Sequence, residues 1–343
     1  MPNDLRVSVA TPQDGTDWDA FVTAHNPEAG YHAWDWRRVF TNAFGHETVY
    51  LIARRGGALE GVLPLVQIKS LLFGNSLTSL PFLNYGGVIA DTPEARVALA
   101  DTAREEAQRR RCAHVELRHV ERQFPTLPCK QHKVSMRLEL GPNLWNGLDR
   151  KVRNQIRKAE KSGLVIERGG AALVDDFYKV FARNMRDLGT PVYPRRLFDE
   201  VLATFPSQSQ LHVIRLGAQP IAAGFTYRTS SMVQLPWASS IRDFNSLCAN
   251  VLLYWDAIQF AHASGASTFD MGRSTPGEGT FKFKAQWGAE PLPLHWEYQL
   301  SSEGRLPNVS PANPKFQLAI ALWQKLPLGV ATRVGPMIVR AIP

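Results

Sequence analysis

Residues 95–117 read ARVALADTAREEAQRRRCAHVEL, and residues 249–271 read ANVLLYWDAIQFAHASGASTFDM. Laid over each other without gaps, at an offset of 154, they match Val97 with Val251, Leu99 with Leu253, Ala103 with Ala257 and Ala107 with Ala261. The matches fall at helical spacing, so each stretch predicts a helix with one apolar face. The same alignment sets a strand at 113–117 against one at 267–271, with Glu116 facing Asp270. Upstream, a hairpin around Arg54 and Gly56 matches one around Arg215 and Gly217, at an offset of 161. Helix, strand and turn recurring in one order predict two copies of one plan.

Outward from this repeat, the second copy predicts a helix at 144–162, a strand at 164–168 and helices at 172–188 and 194–204. Strands at 210–216, 221–228 and 232–237, a helix at 250–264, and strands at 267–271 and near 293–300 follow. Asn250 is the expected N-cap of the 250–264 helix and Gly265 the residue just past its end. Strands interrupted by helices predict an α+β fold in α/β layers. The order resembles the acyl-CoA N-acetyltransferase (GNAT) fold. With the repeat, it gives tandem lobes expected at 1–143 and 144–304, the second carrying the active site, while the residues of 305–343 read as a basic amphipathic helical tail.

The chain has 343 residues, 39 Lys and Arg against 31 Asp and Glu, a net charge of +8, and 44% apolar residues. This excludes a disordered chain and a small disulfide scaffold, and the length favours two domains. The charge is local. Residues 1–147 hold 16 bases and 16 acids, 149–161 hold six bases and two acids, and 305–343 hold five bases and no acid. Such partition suits a local anionic contact better than a general nucleic-acid coat. Met1 to Ala10 is polar and no apolar h-region follows, so no leader is expected. No apolar run reaches the ~18 residues of a membrane span. Cys112, Cys129 and Cys248, odd in number and widely spaced, fit a reducing cytoplasm.

From Leu144 to Lys161, Leu144, Leu148, Val152, Ile156 and Ala159 form one apolar stripe. Arg150, Arg153, Arg157 and Lys161 step along another face beside Lys151 and Lys158. This cationic rail reads either as a solvated helix face or as a phosphate holder, Arg binding bidentately. Within it, residues 153–161 (RNQIRKAEK) resemble the Arg-x-x-Ile-Arg-Lys-Ala-Glu-Lys helix of the FemAB peptidyltransferases. The resemblance is closer to the FemAB-like group associated with exosortase/PEP-CTERM systems and covers nearly the whole chain. It rests on residues 72–75 (LFGN), 84–87 (NYGG), 188–192 (LGTPV), 269–274 (FDMGRS), 283–284 (FK) with 287–288 (WG), and 313–315 (NPK) with 322–323 (LW). It implies transfer of an acyl or aminoacyl group to an amine of a cell-envelope or exopolysaccharide precursor.

Asp270, Gly272, Arg273 and Ser274 sit where a strand is expected to give way to a loop, a common place for functional side chains. Asp270 reads either as the acceptor of a proton from an attacking amine or as a loop-capping carboxylate, and Arg273 as a binder of phosphate or a developing oxyanion. Glu116, the counterpart of Asp270, is followed by Arg118 and His119 without Gly-Arg-Ser, so the first lobe is expected to keep the scaffold and lose the site. By resemblance, Phe283 and Lys284 lie at the acyl-transfer centre before Trp287, with Lys284 steadying the tetrahedral intermediate. Lys282 stands where the group has an acid. The resemblance also places Asn184, Thr190, Pro191 and Tyr193 along the acceptor cleft, where the residues alone read equally as a helix stop.

GNAT enzymes hold the CoA pyrophosphate on a Gly-rich loop at a helix N-terminus. Here the loop is residues 241–249 (IRDFNSLCA), with Arg242 but no glycine. The donor therefore stays open between acyl-CoA and aminoacyl-tRNA, the latter making tRNA a partner. Cys112, His114, His119, Cys129 and His132 suggest a metal cluster. Yet Ala113, Val115 and Leu117 alternate with His114, Glu116 and Arg118, so His114 is expected on the outer face of a strand. The spacing fits no zinc template, and no metal is expected. The tail, with Leu318, Ile320, Leu322, Trp323 and Leu326, then Pro327, Val330, Val334, Met337 and Ile338, either packs on its own domain or lies on an anionic membrane.

The expectation is a cytoplasmic N-acyltransferase, with a peripheral contact at the inner face of the membrane left open by the tail. Lys284 and backbone N–H groups steady the oxyanion, and Asp270 or a substrate group takes the proton. Arg153, Arg157, Lys158, Arg273 and Ser274 hold the phosphate-bearing donor and acceptor, and Trp287 lines the site. Two alternatives stand: a non-catalytic envelope- or polysaccharide-binding protein on a degenerate scaffold, and an RNA-binding protein using the basic helix.

Overall fold

Gly56 and Gly217 both take φ of +56°, the left-handed conformation that glycine adopts without steric cost. They turn the two expected hairpins in the computed structural model, which describes residues 4–70, 74–301, 306–307 and 314–342, the side chains of 314–316 excepted. Leu72, Phe73 and Asn313, and the side chains of Pro314 and Lys315, lie outside the described residues.

The chain begins with β1 (Leu5–Val9), α1 (Gly15–His25), α2 (Trp36–Phe44), β2 (Glu47–Arg55), β3 (Ala58–Ser70), β4 (Gly74–Ser79), β5 (Ile89–Ala90), α3 (Pro93–Arg109), β6 (His114–His119) and β7 (Cys129–Lys130). It continues with β8 (Val134–Glu139), α4 (Leu144–Gly147), α5 (Arg150–Glu160), β9 (Leu164–Gly169), α6 (Val174–Leu188), α7 (Arg195–Thr204), β10 (Ser209–Leu216), β11 (Gln219–Arg228) and β12 (Met232–Ser240). Then come α8 (Ala249–Ala263), β13 (Thr268–Ser274), α9 (Gly279–Ala285), β14 (Glu290–Pro293), β15 (His295–Leu300), α10 (Pro314–Gln324) and α11 (Leu328–Val339).

Two compact units result, one of residues 1–132, 293–308 and 340–343, the other of 133–292 and 309–339. Their sheets run β1-β2-β3-β4-β6-β15-β7, with β5 on β3, and β14-β8-β13-β12-β11-β10-β9. The linear boundaries expected at 143 and 304 cut across both sheets. β8 lies antiparallel to β13 in the second sheet, and β15, the strand expected near 293–300, lies antiparallel to β6 in the first. Each sheet is thus completed by a strand distant in sequence, which local periodicity cannot reveal.

The repeat is real in three dimensions. The β2–β3 ladder slips between Ala53 and Arg54, and the β10–β11 ladder between Ile214 and Arg215. At the two bulges Arg54 pairs with Asp14 and Asp17, and Arg215 with Glu167 and Asp176. The crossover strands also agree, since parallel β4–β6 starts at Ser76↔His114 and parallel β12–β13 at Met232↔Thr268. Leu99, Ala103 and Ala107 of α3 and Leu253, Ala257 and Ala261 of α8 are all buried. Val97 departs from its partner Val251, being exposed while Val251 is buried.

Three local expectations change. The helix expected at 144–162 breaks at Leu148, which is extended, and Asp149 caps α5 by accepting from the Lys151 N–H at 2.6 Å. Cys248, not Asn250, is the N-cap of α8, in the left-handed region at φ +58°, while Gly265 falls past its end at φ +80° as expected. His114 is buried, as is every residue of β6 from His114 to His119, so neither face of the strand meets solvent. The suspected metal set disperses: His119 pairs with Glu297 and Cys112 with Gln67, and among the described residues no metal-ligating group of three gathers. No described helix is long and apolar enough to cross a membrane.

Candidate active site

Parallel β12 and β13 pair only at Met232↔Thr268, Val233↔Phe269 and Gln234↔Asp270. Both strands run on, β12 along β11 and β13 along β8, and each bulges just past the last shared pair. The β11–β12 register shifts between Gln234 and Trp237, and the β13–β8 register between Asp270 and Arg273. Two bulges at one point splay neighbouring strands, because each adds an unpaired residue and extra twist. The result is a wedge whose facing backbone groups no ladder claims.

The bulge in β13 turns on Gly272 at φ +78°. The Asp270 carboxylate holds it there, one oxygen accepting from the Gly272 N–H at 2.7 Å and the Ser135 hydroxyl at 2.6 Å. The Gly272 and Arg273 carbonyls then receive Lys284 Nζ at 3.0 and 2.9 Å. Lys284 comes from α9, a short helix whose sequence GTFKFKA buries this lysine and leaves Lys282 exposed. Of the three ammonium donors, two are committed to backbone, and among the described residues the third has no partner. Burial pushes the Lys284 pKa down to about 8, with Asp270 opposing the shift and Arg273 adding to it. At neutral pH the group is still mostly a cation, in surroundings where charge is poorly screened.

Asp270 itself has no exposed surface. The proton-acceptor role expected for it does not fit a sealed carboxylate already accepting within the protein. Its geometry suits holding the bulge and supplying countercharge to Lys284. Sequence reasoning missed Lys133, whose Nζ donates to Thr275 Oγ1 at 2.8 Å and whose pKa is lowered by burial and by Arg273. It also missed Gln234, fully buried with neither amide atom hydrogen-bonded among the described residues, where Ser274 Oγ likewise has no partner. The signal was a single polar residue inside the apolar run of β12, level with Asp270.

Phe283 is half-buried, edge-on to Tyr254 at 4.9 Å. Trp287 is a core residue at 2% exposure, packed against Tyr254 and Phe283, which replaces its expected place as a substrate-contacting ring. A hollow of about 850 Å³ lies between α5 and α9, lined among others by Asp149, Lys151, Gln155, Lys282, Phe283 and Gln286. A second, of about 610 Å³, continues along α5 past Arg150, Asn154 and Lys158. The cationic rail thus divides. Lys151 and Lys158 face the hollows, while the Arg157 guanidinium lies 5.3 Å over the Trp145 ring and Arg153 is half-buried, its Nε without a hydrogen-bond partner among the described residues. Among the described residues, none of the six cations from Arg150 to Lys161 has an ion-pair partner.

Asn184 donates to Ser239 Oγ on β12 at 3.1 Å. Thr190 follows the left-handed Gly189 that ends α6, its N–H bonded to the Met185 carbonyl, and Tyr193 stacks on Phe181. The backbone of Thr190 thus takes part in the helix stop. In the loop before α8, residues 242–247 wind into a 3₁₀ turn, with the Phe244 and Cys248 N–H groups bonded to Ile241 and Asn245. Those amides are spent locally rather than offered to a pyrophosphate.

The counterpart wedge in the first unit is filled by its own chain. Beyond Thr78↔Glu116, Leu80, Phe82, Leu83, Asn84 and Tyr85 are buried, and the Gly86 N–H bonds the Arg118 carbonyl at 2.8 Å. Glu116, in place of Asp270, pairs with Arg118 at 2.6 Å.

Residues 148–285, from just before α5 to the end of α9, match the family model described as an acetyltransferase (GNAT) domain. The crystal structure of FemX superposes with a TM-score of 0.68 at 15% identity, covering 92% of this chain and all of FemX. A tandem GNAT protein from the clavulanic acid biosynthesis pathway gives 0.58 at 12%, covering 88% of this chain and all of that one. A domain assigned as the C-terminal domain of a lysylphosphatidylglycerol synthetase from Agrobacterium fabrum gives 0.58 at 12%, over 85% and 93%. No curated protein matches the sequence. The fold is that of tandem GNAT proteins.

Proposed function

We propose that the second unit is an N-acyltransferase site that moves an acyl or aminoacyl group onto an amine of a phosphate-bearing cell-envelope or exopolysaccharide precursor. The observation that carries this reading is Lys284, a buried ammonium with one donor unpartnered among the described residues, at the point where β12 and β13 part, inside the segment that matches a GNAT domain. The acceptor amine attacks the activated acyl carbonyl, and the carbonyl oxygen becomes the oxyanion of a tetrahedral intermediate. Lys284 and wedge backbone N–H groups stabilise that charge, which a preorganised site does far better than water. Collapse of the intermediate expels the donor's leaving group. The amine's proton passes to a substrate group, since Asp270 is sealed.

Substrate phosphates lie along α5, against Lys151, Lys158 and Lys282, with Arg153, Arg157 and Arg273 nearby in the same unit. The donor is acyl-CoA held without a glycine-rich loop, or an aminoacyl-tRNA whose phosphates use the same rail. The protein acts in the cytoplasm. The test is mass spectrometry of products from panels of acyl-CoA donors, charged tRNA and amino-sugar nucleotide acceptors. Wild type should form an amide, and Lys284→Ala, still folded by circular dichroism at the assay temperature, should turn over about 100–1000-fold more slowly. An undiminished rate in Lys284→Ala would remove the assignment.

A further inference from the structure

The pair α10–α11 packs on the second unit by one side only. Ile320 lies against Gly189, where an added Cβ would come within 2.4 Å of it, and Gly335 against Val192, whose nitrogen would lie 2.6 Å from an added Cβ. Trp323, Ala331 and Val339 are buried beside them. Arg186 and Gln324 tie the junction to α6, donating to the carbonyls of Leu326 and Asp187 at 2.9 and 3.2 Å. Residues at i, i+4 and i+7 share a helix face, and on the opposite face stand Leu318 (66% exposed), Leu322 (59%), Val330 (41%), Val334 (38%) and Met337 (71%).

Lys325 falls seven residues after Leu318, and Arg333 three after Val330, so each cation borders the apolar row. Both are exposed, and among the described residues neither is ion-paired. No acidic residue occurs from Leu306 to the end of the sequence. An apolar row edged by cations, without one acid to repel phosphate, matches an anionic bilayer surface, where side chains enter the acyl boundary and cations meet headgroups.

We propose that the outward face of α10–α11 docks the protein on anionic lipid bilayers, lying in the interface without crossing it. This stands apart from the catalytic reading, because none of its residues belongs to the wedge or the α5 hollows. The test is sedimentation of the full chain with vesicles of phosphatidylcholine alone or with a third phosphatidylglycerol, at low and high salt. Wild type should pellet with the anionic vesicles and be released by salt. Leu322→Glu/Met337→Glu, at exposed positions that keep the fold, should bind about tenfold or more weakly. Equal binding of the variant, or no wild-type binding to anionic vesicles, would overturn the proposal. A dimer that the same variant dissolves, with no vesicle binding, would assign the face to a second copy and overturn it equally.

Discussion

Lys284 concentrates the account at the scale of one residue, and its burial has a consequence for stability as well as chemistry. A lysine titrates near 10.5 when free and near 8 here. Below pH 8 both folded and unfolded states are protonated and the fold bears the full cost of burying the cation. Between pH 8 and 10.5 the folded state releases its proton first, so the unfolded state holds more protons and stability rises with pH. The lowered pKa corresponds to about 3 kcal/mol. Urea unfolding of wild type and Lys284→Met should therefore diverge across this window, wild type gaining up to that amount relative to the variant. A difference that stays flat from pH 7 to 10.5 would show that the ammonium is not desolvated.

The elements were largely legible in the sequence because each carries its own period. α5 and α6 have segregated apolar and charged faces, and β10 to β12 have turn residues at both ends. α8 was found despite being buried on every side from Val251 to Ile258, through its match to α3. What stayed hidden was relational. The divergence of β12 and β13 depends on two bulges in separate ladders, and neither LeuPro at 235–236 nor MetGly at 271–272 announces one alone. Lys133 and Ser135 meet the site only because β8 crosses to β13, a pairing across about 130 residues of chain. Asp270 and Lys284 were found as residues, but their division of labour needed the hydrogen bonds. The α5 rail was found as a charge pattern, while its split, lysines toward α9 and Arg157 onto Trp145, depended on the rings and hollows around it.

At the scale of the whole molecule, duplication has been followed by specialisation. One unit closes its wedge with residues 80–88, and the other keeps the wedge open and adds Lys284. The exchange of strands also makes the first unit dependent on chain synthesised much later. Glu297 on β15, with no exposed surface, receives His119 Nδ1 at 2.7 Å and the N–H groups of Gln123 and Phe124 at 3.0 and 2.7 Å. Without β15 these donors and one edge of β6 go unpaired, and a lost partner in a buried network typically costs about 1–3 kcal/mol per group. A fragment of residues 1–143 should thus show no cooperative urea transition by circular dichroism. A fusion carrying residues 293–308 should recover one. Cooperative unfolding of the bare fragment at the full chain's midpoint would count against this dependence.

The central claim is that Lys284 acts as a cation on the acyl-transfer transition state, and the pH dependence of turnover reads its protonation directly. In wild type, kcat should fall as pH rises through about 8, and in Lys284→Arg, which stays protonated, that falling limb should move to higher pH at reduced rate. A wild-type rate that climbs through pH 8, or an alkaline limb unmoved in the arginine variant, would contradict it.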